Sequence, residues 1–145
     1  MTDNGRERPK RHYRPDDEVR QRGRVVLVVD DVGMMRHAVS EVVRDLGYEP
    51  VEAAGGEEAN ALADFYEPRL IVLDIQMPGA DGLVTLERMR DNPKLADTPV
   101  IMLTVESQRE SFQTAIGLGA LDYLVKPVSA DLLKERMRAL LEPEG

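Results

Sequence analysis

The feature that most constrains this chain is a set of short, wholly apolar runs, each stopping abruptly at a polar residue. The first, residues 24–29, reads Val-Val-Leu-Val-Val after its arginine and ends at Asp30-Asp31. A run that is β-branched and apolar at every position has no solvent face, so it predicts a strand buried on both sides. Residues 70–73, ended by Asp74, residues 99–103, ended by Thr104, and residues 121–125, followed by Lys126-Pro127, repeat the pattern. A weaker strand is expected over 50–54. Between the runs lie segments with helical spacing. Residues 34–46 place Met35, Val39, Val42, Val43 and Leu46 on one face, with Gly47 as the stop. After a Gly55-Gly56 turn, residues 57–66 turn Ala59, Leu62, Ala63 and Tyr66 inward and end before Pro68. Helices are also expected over 83–90, over the less apolar 107–117, and over 130–141, where Ser129 is the N-cap. Strands and helices that alternate in this way predict an α/β fold, a doubly wound parallel sheet of five strands with helices on both faces.

In such sheets ligands bind outside the carboxyl ends of the strands, where the strand order reverses. Asp30, Asp31, Asp74, Thr104 and Lys126 all stand at strand ends and are expected to converge there. Three carboxylates in one place repel: at ~4 Å and an effective dielectric of ~20, each pair costs ~4 kcal/mol. A divalent cation resolves the conflict, and an all-oxygen donor set suits Mg²⁺, with manganese able to substitute. Beside it, the ammonium of Lys126 and the hydroxyl of Thr104 can bind the oxygens of a phosphoryl group. Asp74 is then the best nucleophile, able to form an aspartyl phosphate. Gly55-Gly56, Gly79 and Gly117-x-Gly119 make no nucleotide-binding loop, which argues against ATP as the direct donor.

Composition removes other classes. The chain has 145 residues, the size of one domain, and lacks cysteine, which excludes disulfides, thiolate catalysis and thiolate-bound zinc. Two histidines, His12 and His37, are too few for a histidine-rich metal site; His37 is expected at the surface or its boundary. Met34 and Met35 are expected to pack or to border the cleft. No apolar run approaches a membrane span, and the N-terminus does not read as a signal peptide, so a cytoplasmic location is expected. Residues 1–22 carry seven basic and five acidic side chains, a net of +2, which leaves −10 on the remainder of a chain whose total is −8. This predicts a basic, solvated N-terminal extension and an acidic body that does not bind nucleic acid directly.

The stretches Val28-Val29-Asp30-Asp31, Leu73-Asp74-Ile75-Gln76-Met77-Pro78-Gly79-Ala80-Asp81-Gly82, Ile101-Met102-Leu103-Thr104 and Gly119-Ala120-Leu121-Asp122-Tyr123-Leu124-Val125-Lys126-Pro127 are together specific. Singly, each is ordinary: aspartates end strands, and Lys-Pro is common in loops. In this order and spacing they resemble the receiver domains of bacterial two-component response regulators, of the stand-alone, chemotaxis-regulator-like kind, over about residues 24–141. The resemblance implies a flavodoxin-like sheet of strand order 2-1-3-4-5, a receiver domain over 23–142, and phosphorylation of Asp74 by a sensor histidine kinase or phosphotransfer protein. It implies Mg²⁺ held by Asp30, Asp31, Asp74 and the Gln76 carbonyl, and a switch in which the Thr104 hydroxyl moves to the phosphoryl group while Tyr123 turns inward. It further implies a cis peptide before Pro127 and an output face, formed by the helix at 107–117, the strand at 121–125 and the last helix, that binds a downstream target protein. Such a chain is a phosphoacceptor rather than a turnover enzyme, monomeric or dimerising on phosphorylation, with no membrane contact.

Two departures matter. Val105 follows Thr104 where the family commonly has a small residue, and its branched side chain is expected to shield the acyl phosphate. Gln76 and Glu106 lie two places beyond Asp74 and Thr104, where the resemblance implies positions that vary in the family and whose side chains can influence hydrolysis. Asp81-Gly82 is expected to be structural, glycine permitting the turn. Three alternatives stand beside the leading function: a receiver-like scaffold that acts without phosphorylation, an aspartyl-phosphate phosphatase, and a receiver fragment of a longer regulator. The phosphatase is disfavoured because such enzymes carry a second acid two residues after the nucleophile, where this chain has Gln76.

Overall fold

The computed structural model describes residues 23–77 and 80–142; the extension expected over residues 1–22 lies outside them, as do Pro78 and Gly79. Among the described residues the elements run β1 (Val25–Val29), α1 (Gly33–Asp45), β2 (Glu49–Ala53), α2 (Gly56–Tyr66), β3 (Leu70–Leu73), β4 (Gln76–Met77), β5 (Ala80–Asp81), α3 (Gly82–Arg90), β6 (Val100–Thr104), α4 (Arg109–Gly117), β7 (Asp122–Val125) and α5 (Ala130–Leu141). The five main strands are all parallel in the order β2-β1-β3-β6-β7. With the two-residue ribbon β4–β5 set aside, this is the order 2-1-3-4-5.

Every residue of β1, β3 and β6 is buried, as wholly apolar runs require. Successive residues serve opposite faces of the sheet. Leu27, Val29, Ile71, Leu73 and Met102 pack with Ala59 and Ala63 of α2, Leu86 and Met89 of α3, and Ala115 of α4. Val26, Val28, Leu70, Val72, Ile101 and Leu103 pack instead with Val39, Val42 and Val43 of α1 and Leu133, Met137 and Leu141 of α5. Each of these larger aliphatic side chains contributes about 1.5–3 kcal/mol on burial, so the two layers fix which face each strand residue takes.

Among the described residues β2 has one strand neighbour, with Pro50 in register with Val26 and Glu52 with Val28. The Glu49 N–H donates to the Arg24 carbonyl (2.8 Å), and Asp30 N–H to the Ala53 carbonyl (3.1 Å). Helix starts follow their caps. Ser129 Oγ accepts from Leu132 N–H at 3.0 Å, as expected for α5. α4 begins two residues later than its sequence suggests, because Thr104 Oγ1 accepts from Glu106 N–H (3.1 Å) and a Glu106 carboxylate oxygen from Gln108 N–H (3.1 Å), which draws that segment into turns. None of the helices among the described residues is long and apolar enough to cross a membrane.

The loop after Asp74 contains an antiparallel ribbon, Gln76 facing Asp81 and Met77 facing Ala80. It folds back so closely that Gly82 N–H donates to the Ile75 carbonyl at 2.7 Å. Gly82 is not among the glycines with positive φ, so it is not needed for a turn torsion. A Cβ there would lie 2.0 Å from the Asp74 carbonyl oxygen and 2.6 Å from Ile75 Cα, so glycine is required for clearance.

Candidate functional site

The sheet's own hydrogen bonds extend just past the strand ends and carry the polar residues with them. Asp30 N–H bonds to Ala53, Asp74 N–H to the Val29 carbonyl (3.1 Å), and Lys126 N–H to the Thr104 carbonyl (2.8 Å). Each side chain is thus anchored by a rigid ladder rather than by a loose loop.

Four of the five expected residues, Asp30, Asp31, Asp74 and Lys126, come together, and Thr104 is joined to Lys126 through its backbone. One carboxylate oxygen from each of Asp30, Asp31 and Asp74 lies within 4.8 Å of the others. Asp30 and Asp74 are each 4% exposed, and Thr104 is fully buried. Lys126 Nζ lies 2.7 Å from Asp30 Oδ2 and 3.4 Å from Asp74 Oδ2. Burial pushes the Lys126 ammonium toward neutrality, but the Asp30 hydrogen bond and the charges of Asp74 and Asp30 outweigh it and hold its pKa above the ordinary lysine value. Asp30 Oδ1 accepts from Val32 N–H at 2.9 Å, and Asp74 Oδ1 from Gln76 N–H at a long 3.3 Å. Three carboxylates against one ammonium leave a formal charge of −2 in a partly buried, all-oxygen cluster. That donor set fits a hard divalent cation such as Mg²⁺. The Lys126–Pro127 peptide is cis.

Glu106 links the remaining residues. Its N–H reaches Thr104 Oγ1, its carbonyl accepts from the Tyr123 hydroxyl at 2.7 Å, and its carboxylate accepts from Gln76 Nε2 at 3.0 Å. Tyr123 is half-buried on β7, its ring edge-on to Phe112 at 5.4 Å between centroids. Burial, with the negative charges of Glu106 and Asp74, raises the phenol's pKa, so it stays a donor. Val105, by contrast, is 57% exposed directly after Thr104. His37 is exposed, its Nδ1 3.3 Å from Glu52 Oε1, and Met34 is exposed beside the half-buried Met35.

A second polar group behind the cluster was not expected. Arg36 donates to the Asp30 carbonyl at 2.8 Å and, through Nε, to Glu52 Oε1 at 3.0 Å. Ser40, fully buried, donates to Glu52 Oε2 at 2.7 Å. The available signal was slight: a serine on the apolar face of α1 and a glutamate in the middle of β2.

Residues 26–138 match the sequence profile of the response regulator receiver domain. The chain is 41% identical over 116 residues to "Probable transcriptional regulator ycf27" of Cyanophora paradoxa, covering 80% of this chain and 47% of that one. It is 32% identical over 123 residues to the phosphate regulon transcriptional regulatory protein PhoB of Pseudomonas aeruginosa, covering 85% and 54%. The chain therefore spans about half the length of these curated relatives. Among solved structures, chemotaxis protein CheY4 of Vibrio cholerae superposes with a TM-score of 0.76 at 34% identity, over 81% of this chain and 98% of that one.

Proposed function

Because the chain belongs to the response regulator receiver family, we propose that it is a phosphorylation-controlled switch whose acceptor is Asp74. The buried Asp74 carboxylate, sharing one cluster with Asp30, Asp31 and Lys126, carries the proposal. An Asp74 oxygen bonds to the phosphorus of a phosphohistidine on a sensor histidine kinase or phosphotransfer protein; the N–P bond breaks and the imidazole leaves with its electron pair. Lys126 binds one phosphoryl oxygen as a point charge, and the Thr104 hydroxyl donates to another. Mg²⁺, held by Asp30, Asp31, Asp74 and the Gln76 carbonyl, would supply the positive charge that offsets the phosphoryl oxygens.

Glu106 makes the switch physical. Thr104 and Tyr123 are bonded to the N–H and the carbonyl of this one residue, so a Thr104 hydroxyl drawn toward phosphate disturbs the partner of the Tyr123 hydroxyl directly. The affected surface is α4, β7 with the preceding Leu121, and α5; Phe112, Ile116, Leu121 and Val125 are exposed there, and we assign target binding or phosphorylation-dependent dimerisation to it. Gln76, Val105 and Glu106 set how fast water removes the phosphate. The chain promotes only its own phosphorylation and dephosphorylation, in the cytoplasm, and its acidic body does not itself contact nucleic acid.

The test is intact-mass detection of phosphorylation by acetyl phosphate, with and without Mg²⁺, on wild type and Asp74→Asn. The expected result is a single Mg²⁺-dependent, hydroxylamine-sensitive adduct that the variant lacks. If wild type takes up neither phosphate nor beryllofluoride, the switch is refuted in favour of a phosphorylation-independent scaffold.

A further inference from the structure

We propose that Arg36 is a positioning residue for the metal-binding pair, holding the peptide between Asp30 and Asp31 through a relay anchored on Glu52 and Ser40; this rests on the Mg²⁺ site proposed above. Arg36 and Ser40 are four residues apart and so share one face of α1. That face meets β2 at Glu52, whose register partner Val28 faces the same layer. The glutamate side chain is half-buried there. Burial favours its neutral form, and only the hydrogen bonds from Ser40 and Arg36, with the charges of His37 and Arg36, reverse this and hold its pKa below the ordinary value.

Apolar side chains of similar volume could occupy the same half-buried space, since such replacements of inward-facing ion pairs are often neutral or stabilising. What the polar trio adds is a fixed direction. The guanidinium fork uses Nε for Glu52 and a terminal nitrogen for the Asp30 carbonyl, so the acid aims the arginine at one peptide oxygen. That oxygen belongs to the peptide leading into Asp31, and fixing its plane fixes where the Asp31 carboxylate leaves the chain. The clamp acts on backbone and leaves the carboxylates to the ion, as groups supporting a metal's ligands commonly do.

The test is the Mg²⁺ dissociation constant, measured by calorimetry without any phosphodonor, on wild type and on Arg36→Met/Glu52→Met. The double variant leaves net charge unchanged, so simple electrostatics predicts no effect. A purely structural role predicts that whatever restores the melting temperature restores metal binding. Positioning predicts a melting temperature in EDTA close to wild type and Mg²⁺ binding weakened about tenfold. Arg36→Lys, which keeps the charge but cannot span both partners, is expected to weaken binding in the same direction and covers the case in which the double variant does not fold. Affinities within twofold of wild type in whichever of these variants folds would overturn the proposal. Absence of Mg²⁺ binding by wild type would instead overturn the metal site itself, and the positioning role with it.

Discussion

Replacing Gly82 by alanine tests the link between the ribbon and the proposed acceptor, Asp74, most severely. The new Cβ would sit 2.0 Å from the Asp74 carbonyl oxygen, 2.6 Å from Ile75 Cα and 2.8 Å from the Asp74 carbonyl carbon. All three are backbone atoms, so no side-chain rotation relieves the clash. Reaching ordinary contact at 3.4 Å requires the two segments to part by about 1.4 Å. Asp74 is tied to Val29 on one side and the ribbon to Ile75 on the other, so the strain must break a hydrogen bond or displace the acceptor. Overpacking costs about 1–3 kcal/mol, and rigid backbone on both sides puts this case at about 3 kcal/mol. For a domain of this size that corresponds to a fall in Tm of roughly 10 °C. A misplacement near 1 Å costs a reacting group about 10²-fold in rate, so phosphorylation by acetyl phosphate, followed by intact mass well below the variant's Tm, should slow by about that factor. Gly117→Ala is the control, because a Cβ there meets nothing within 4 Å. If Gly82→Ala matched that control in both Tm and rate, the clearance argument would be wrong.

Val105→Ala should speed loss of phosphate from Asp74 several-fold, followed by mass after removal of donor, since it takes away the branched side chain beside Thr104; equal rates would show that Val105 shields nothing. Glu52 titrates below its ordinary value when folded, so its contribution to stability is complete above the unfolded pKa of about 4.3 and is lost as pH falls through the lower folded value. Glu52→Gln should therefore lose less stability than wild type between pH 6 and pH 3 in urea unfolding, and parallel profiles would show that the carboxylate is not held by Ser40 and Arg36.

The strands that the sequence announced most clearly, β1, β3 and β6, are those buried on both faces, because continuous apolar runs have few other stable uses in a chain this short. Asp30, Asp31, Asp74 and Lys126 were legible for the same reason: once the strands are placed, a parallel sheet brings their ends together, and Thr104 ends the strand whose carbonyl holds Lys126 N–H. The ribbon β4–β5 escaped because two residues per strand carry no period, and its cause is a contact between Gly82 and Asp74 that no local pattern announces. Arg36, Ser40 and Glu52 were missed because each alone looks like an ordinary polar residue; only the packing of α1 on β2 joins them. Glu106 could be marked as a position of interest, but not as the residue whose backbone joins Thr104 to Tyr123, because that depends on turns after β6.

Pro50 has a consequence for how copies of this chain avoid sticking together. In a parallel ladder alternate residues point their N–H and C=O groups to opposite sides. Glu49 and Ala53 bond to β1, which leaves the backbone groups of Pro50 and Glu52 directed away from the sheet. Proline has no N–H, so the outer rim of β2 offers one outward donor, that of Glu52, on a strand whose side chains include two glutamates. Such a rim is a poor template for adding a strand from a second molecule. Fibril-like, edge-to-edge growth is disfavoured there by the backbone itself, which is compatible with partners being recognised through side chains on the opposite flank.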